Sequence, residues 1–113
     1  MNAAMLARLE DLGADPDDAL ERLGDEAFTR MVRDFVGNDL PERIRAALLA
    51  GNAAEAGSLA HTLKGVALGL GLLPVSDAAM DIQMACREHG VQAGMPLLEP
   101  LEAAVRAVRE SIE

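Results

Sequence analysis

The chain has 113 residues, a formal net charge of −9 at pH 7, and neither tryptophan nor tyrosine. This length suits one domain with a substantial buried core. The excess of carboxylates disfavours binding to nucleic acid or to an anionic membrane surface, because both are negatively charged. The shortage of aromatic residues disfavours β-sandwiches and β-barrels. The composition therefore predicts a single all-α domain over residues 1–113.

The sequence has no cationic start followed by an apolar stretch, which is the pattern of a secretory signal. Its longest uncharged run, residues 65–76, is too short to span a bilayer and contains glycines and a proline. Cys86 is the only cysteine, which excludes an intramolecular disulfide. We therefore expect a cytoplasmic protein that does not bind membranes.

Two short helices are predicted at the N-terminal end. Asn2 is a suitable cap for the first helix, and Gly13 is a suitable stop. Asp15 and Pro16 would supply the cap and first position of the second helix, which ends at Gly24. The apolar face of the first helix carries Met5, Leu6, Leu9 and Leu12.

A longer helical segment is predicted to begin at Asp25 and to end at Gly51. Its apolar positions recur at helical spacing: Phe28, Met31, Val32, Phe35, Ile44 and Leu48. Residues 37–41 interrupt this pattern and end in Pro41, which lacks a backbone N–H. Pro41 should kink or briefly break the helix, and we favour a kink.

The next predicted helix covers residues 53–70. Asn52 and Glu55 resemble a capping box, with asparagine in place of the usual serine or threonine. The predicted core face of this helix consists of Leu59, Leu63, Val66 and Leu70.

Two further helices complete the chain. Pro74 begins the first and Gly90 ends it. Its inward positions are Val75, Ala79, Ile82 and Cys86. The last helix carries a 3-4-3-4 stripe of Leu98, Leu101, Val105, Val108 and Ile112. Because the connections are short, we predict an antiparallel up-down-up-down four-helix bundle with a short helical N-terminal cap, and we expect a monomer.

The face of the 53–70 helix that is opposite its leucines has an unusual composition. It carries His61 and, one helical turn later, Lys64, which is the only lysine in the chain. Long charged side chains are otherwise missing from the surroundings of His61, which are Gly57, Ser58, Gly65 and Leu68. The two glycines on this face, Gly57 and Gly65, are unusual because glycine inside a helix costs up to ~1 kcal/mol of stability relative to alanine. A bare surface of this kind suits the close approach of another protein.

Residues 61–71, HTLKGVALGLG, resemble the core motif of the histidine-containing phosphotransfer family. That motif is His-x-Leu-Lys-Gly, followed by small and apolar residues and then Leu-Gly. The resemblance implies that His61 carries a phosphoryl group, that Lys64 stabilises its charge, and that Gly65 lets a receiver domain approach. It also implies that the receiver docks over Gly57, Ser58, Gly65 and Leu68.

The resemblance further implies a place in a phosphorelay. His61 would accept the phosphoryl group from the receiver aspartate of a hybrid histidine kinase and pass it to the receiver aspartate of a response regulator. No cofactor is expected in this chain, and the divalent metal is expected on the partner receiver domain. Family members often carry a serine directly after Lys-Gly and a polar residue two positions before the final glycine. Here these positions are Val66 and Gly69.

Two other functions are compatible with a helical domain of this kind. In a histidine kinase fragment, an acidic residue typically follows the histidine, whereas Thr62 stands here and the chain has no ATP-binding domain. We therefore expect a phosphotransfer protein rather than an enzyme with its own kinase activity. The alternative is a helical adaptor that binds signalling partners without phosphotransfer. Cys86 and His89 have the spacing of two metal ligands, but no third ligand lies nearby in the sequence, so we expect no metal site.

Overall fold

The structure, a computed structural model, describes residues 3–113. These residues form eight α-helices and one 3₁₀ turn, and no β-strand occurs among them. The helices are α1 (Ala3–Asp11), α2 (Asp17–Leu23), α3 (Asp25–Val36), α4 (Leu40–Leu49), α5 (Ala53–Gly69), α6 (Leu73–His89), α7 (Val91–Gly94) and α8 (Leu98–Ile112), with the 3₁₀ turn Met95–Leu97 before α8. Asn2, the predicted cap of the first helix, lies outside the described residues.

The helices form a closed four-helix bundle of 42 × 22 × 20 Å. One wall of the bundle is α3 with α4, and the other three walls are α5, α6 and α8. Helix α4 packs on α5, α5 on α6, α6 on α8, and α8 on both α3 and α4. Three-residue connections join α4 to α5 and α5 to α6, so these neighbours run antiparallel. Helix α1 packs on α8, and α2 packs on α3. The predicted all-α bundle with a helical N-terminal cap is confirmed.

The predicted kink at residues 37–41 is wrong, because the chain forms two separate helices there. Helix α3 ends at Val36 and α4 begins at Leu40. The Asn38 side chain holds the break: its Nδ2 donates to the Phe35 carbonyl (2.6 Å), and its Oδ1 accepts from the Leu40 backbone N–H (2.8 Å). These bonds satisfy groups that an interrupted helix leaves unpaired, so a break is more stable here than a bent continuous helix.

The core consists of the predicted apolar stripes, except for a few predicted residues that are exposed. Buried residues include Phe28, Ile44, Leu63, Leu72, Ile82, Leu101 and Val108. Met31, predicted to face inward, is 42% exposed, because Phe28, Val32 and Phe35 already fill the buried side of α3. Leu12 is also exposed, since it follows the end of α1. The predicted inward face of α6 is confirmed, as is that of α8 except for Ile112, which is only partly buried.

The core face of α5 is rotated from its predicted position. Val66 is 43% exposed, so its assignment to the core is wrong. The buried residues of this helix are Ala56, Leu59, Ala60, Leu63 and Ala67. The centre of the buried arc therefore lies roughly 40° from the predicted leucine stripe. The alanines explain the rotation, because their small side chains let the neighbouring helices approach α5 closely.

The segment before α2 is hydrogen-bonded to the residues that follow α5. The Asp15 backbone N–H donates to the Gly71 carbonyl (2.9 Å). The prediction that Asp15 caps α2 is wrong, because no side chain forms a capping hydrogen bond at the start of this helix. Pro16 is the N-cap of α2, and the first helical residue is Asp17. The Arg22 guanidinium also reaches α5, where its Nη2 donates to the Gly69 carbonyl (2.8 Å). The N-terminal segment is thus anchored to the end of the helix that carries His61.

Within residues 3–113, none of the helices has both the length and the apolar character that crossing a bilayer requires.

Candidate functional site

Helix α5 is well defined at both ends, which fixes the position of the residues along it. At its start, the Asn52 Oδ1 accepts a hydrogen bond from the Glu55 backbone N–H (3.0 Å). This is the capping bond that the sequence predicts. At its end, Gly71 has φ +74°, a left-handed conformation that glycine adopts without steric cost. The helix therefore presents the same face to solvent over its length of 17 residues, about 4.7 turns.

His61 lies near the middle of this helix on its exposed face, although the adjacent Ala60 is fully buried. Ser58 and Gly65 are exposed beside it, and Gly57 is partly buried. A Cβ added to Gly65 would have no neighbour within 4 Å, so this position faces open space. Leu68 is 55% exposed, so its apolar side chain is accessible to a partner. The structure therefore brings the predicted small residues and Leu68 onto one surface with His61.

Lys64 is partly buried rather than fully exposed. On the helical wheel it lies within about 20° of Gly57, on the flank of α5 that faces α6. Side chains of a helix lean towards its N-terminal end, so the Lys64 stem leans from the next turn towards His61. The ammonium group can approach the imidazole from the C-terminal side.

A groove of about 580 Å³ lies on the N-terminal side of His61, between α5 and α6. It is lined by Ala53, Ala54, Gly57, Ser58, His61, Gln83, Cys86 and Arg87. Gly57 helps to form it, because an added Cβ would stand 3.8 Å from the Cys86 Cβ and 3.9 Å from the Gln83 carbonyl oxygen. His61 lines this groove, which lies on the N-terminal side towards which helical side chains generally lean.

Gln83 and Arg87 are the site residues that the sequence reasoning missed. They lie one turn apart on α6 and line the groove together with His61. The Gln83 Oε1 is buried and has no hydrogen-bond partner within residues 3–113. The sequence did contain an indication of both residues. Because the connection at residues 70–72 is short, α5 and α6 run antiparallel, and the end of α6 lies beside the start of α5. Gln83 and Arg87 are next to the inward positions Ile82 and Cys86 in this part of α6.

Cys86 forms part of the buried floor of the groove, as predicted for a core residue. Burial raises the pKa of its thiol, because the charged thiolate is poorly solvated there. His89 is located at the end of α6, where its Nε2 is 3.9 Å from a Glu88 carboxylate oxygen. Across the described part of the chain, no group of three or more His, Cys, Asp or Glu side chains is placed to hold a metal ion.

Comparison with known families gives a match that covers almost the entire chain. The family model described as the Hpt domain matches residues 5–111 of the 113 residues. Comparison with curated proteins and with solved structures gave no match. Hpt domains are helical bundles that take part in histidine phosphotransfer in two-component phosphorelays, with receiver domains as partners. The helical bundle, the exposed His61 and the extent of the match agree, and the chain belongs to the Hpt domain family.

Proposed function

We propose that His61 is the phosphorylated residue of this protein. It accepts a phosphoryl group from the receiver aspartate of a hybrid histidine kinase and passes it to the receiver aspartate of a response regulator. The observation that carries this proposal is the placement of His61 on an exposed, small-residue face of α5, beside an open groove. The other histidine, His89, lies at the end of α6 and outside that groove.

The transfer requires an imidazole nitrogen with a free lone pair. In our proposal, this nitrogen attacks the phosphorus of the partner's aspartyl phosphate, and a nitrogen–phosphorus bond forms. The phosphorus–oxygen bond to the aspartate breaks, and its electron pair leaves with the carboxylate. The protein contributes mainly the position of His61 and the stabilisation of charge. Family membership supports assigning the divalent cation to the carboxylates of the partner receiver domain.

The surrounding residues have two roles in this proposal. Lys64 offsets the negative charge of the phosphoryl group from the C-terminal side of His61. Gly57, Ser58, Gly65 and Leu68 form the surface on which the receiver docks, with Leu68 as its apolar contact. We further propose a cytoplasmic phosphotransfer protein. A monomer is supported because the described chain is a single bundle that covers its own core.

The test is phosphoryl transfer from a phosphorylated receiver domain to two matched variants. His61→Gln is expected to lose acid-labile, base-stable phosphate completely, whereas His89→Gln should be labelled like the wild type. Both variants should retain the helical circular dichroism spectrum, since both side chains are exposed. Equal labelling of His61→Gln would remove His61 from the mechanism. A wild-type protein that binds the receiver but takes up no phosphate would instead be the helical adaptor.

A further inference from the structure

Ser58 lies one helical turn before His61 on the same exposed face of α5. The imidazole of His61 leans towards the N-terminal end of the helix and therefore towards the turn that contains Ser58. Both residues also line the groove between α5 and α6. A group attached to the outer imidazole nitrogen of His61 would consequently lie over this groove, within the neighbourhood of the Ser58 hydroxyl.

The Ser58 hydroxyl is available to a ligand. The Ser58 backbone carbonyl accepts a hydrogen bond from the Thr62 Oγ1 (3.2 Å), but the Ser58 hydroxyl itself forms no hydrogen bond within residues 3–113. The neighbouring Thr62 hydroxyl, by contrast, is engaged in that bond with the backbone. The two hydroxyl groups on this part of α5 thus differ in whether they can donate to a bound group.

A phosphoryl group on His61 has three oxygens that require donors or cations. Lys64 can approach these oxygens from the C-terminal side, which leaves the oxygens on the N-terminal side to donors that line the groove, namely Ser58 on α5 and Gln83 and Arg87 on α6. A serine hydroxyl at this position supplies a donor without adding bulk to the surface on which a receiver docks. A longer charged side chain in the same place would obstruct that approach.

From this geometry we propose that the Ser58 hydroxyl donates a hydrogen bond to the phosphoryl group carried by His61. The proposal rests on the proposed function, because it assumes that His61 is phosphorylated. Ser58 contacts the phosphoryl oxygens only after transfer and keeps its own proton, and no covalent bond to Ser58 forms. It therefore favours the phosphorylated state of this protein over the phosphorylated state of the receiver.

The experiment measures how the phosphoryl group partitions between the two free proteins at equilibrium. This ratio does not depend on how tightly the complex docks, so a role of Ser58 in docking alone leaves it unchanged. Removing the hydroxyl in Ser58→Ala should shift the ratio towards the receiver by about three- to tenfold, the range expected for one hydrogen bond. Ser58→Thr retains the hydroxyl and should restore most of the wild-type ratio.

Thr62→Ala is the matched control, since it removes a hydroxyl from the same exposed part of α5 and should leave the ratio at its wild-type value. A ratio within twofold of wild type for Ser58→Ala would overturn the proposal, as would an equal shift in Thr62→Ala. Failure of the proposed function would look different: the wild-type protein itself would take up no phosphate on His61.

Discussion

Gly71 is the residue at which the fold depends most directly on the absence of a side chain. An added Cβ would lie 1.9 Å from the Asp15 carbonyl oxygen, and the residue has φ +74°. Gly71→Ala should lower the free energy of unfolding by roughly 2–4 kcal/mol, because backbone strain adds to a backbone clash. Denaturation by urea, followed by circular dichroism, measures this change.

Gly51 offers a matched control for that prediction. It also has φ +74°, but an added Cβ there would have no neighbour within 4 Å. Gly51→Ala should therefore cost only the conformational term, about 1 kcal/mol. Equal losses in the two variants would show that the Gly71 Cα has room for a side chain beside the Asp15 carbonyl, and would contradict the prediction.

Lys64 should affect transfer more than stability. Its replacement by alanine removes a charge beside His61 but no residue of the buried core. We expect Lys64→Ala to slow phosphoryl transfer about tenfold or more while the melting temperature changes little. Lys64→Arg should restore the rate only in part, because a planar guanidinium does not reproduce a compact ammonium. Rapid-quench kinetics with a phosphorylated receiver would reveal an error if Lys64→Ala transferred at the wild-type rate.

The sequence predicted the residues on α5 around His61 but not the residues that α6 contributes to the groove. His61, Gly65 and Leu68 are exposed as expected, since helical periodicity alone separates them from Leu63. Gln83 and Arg87 were missed, because their approach to His61 depends on how α6 packs against α5. The periodic pattern within α5 does not contain this packing, although the short connection at residues 70–72 indicates that the end of α6 lies beside the start of α5.

Among the helices, the contact between α2 and α5 makes the clearest prediction. Arg22 donates to the Gly69 carbonyl and also pairs with Asp18, whose Oδ2 is 3.2 Å from the Arg22 Nε. Arg22→Ala should destabilise the protein by about 0.5–1 kcal/mol, as expected for one partly exposed hydrogen bond. It should also accelerate hydrogen exchange of the Leu70 and Gly71 amides, which bond to the last turn of α5.

Asp18→Asn serves as the control for this contact. An exposed ion pair one helical turn apart contributes little, so this variant should exchange and unfold like the wild type. Similar effects of both substitutions would mean that the ion pair, rather than the bond to Gly69, holds α2 in place.

The helices were largely predictable because glycine, proline and capping residues mark their ends. Asn52 does cap α5, and Gly90 does follow α6. The break between α3 and α4 was not predicted, because Pro41 alone is compatible with either a kink or a new helix. The two hydrogen bonds of Asn38 decide between these outcomes, and they are visible only in the structure. Helix α7 and the following 3₁₀ turn were also missed, since both are too short to show a periodic pattern.

For the molecule as a whole, charge repulsion should be the main electrostatic contribution. The chain has 19 acidic and 10 basic residues excluding histidine. Among the described residues, Arg45 and Glu102 form the only ion pair between an arginine or lysine and a carboxylate on different helices. Added salt screens repulsion, so the melting temperature should rise between 10 mM and 500 mM NaCl. Thermal unfolding in the two buffers tests this expectation, and a lower melting temperature at high salt would contradict it.

The position of α8 in the chain has a consequence for how the protein is made. Helix α8 is the last wall of the bundle to be synthesised, and it packs against α1, α3, α4 and α6. It carries the core residues Leu98, Leu101, Val105 and Val108. While the ribosome translates the chain, the first three walls emerge without the partner that covers their apolar stripes. We therefore expect the nascent bundle to stay open until α8 leaves the exit tunnel, and the domain to close late rather than helix by helix.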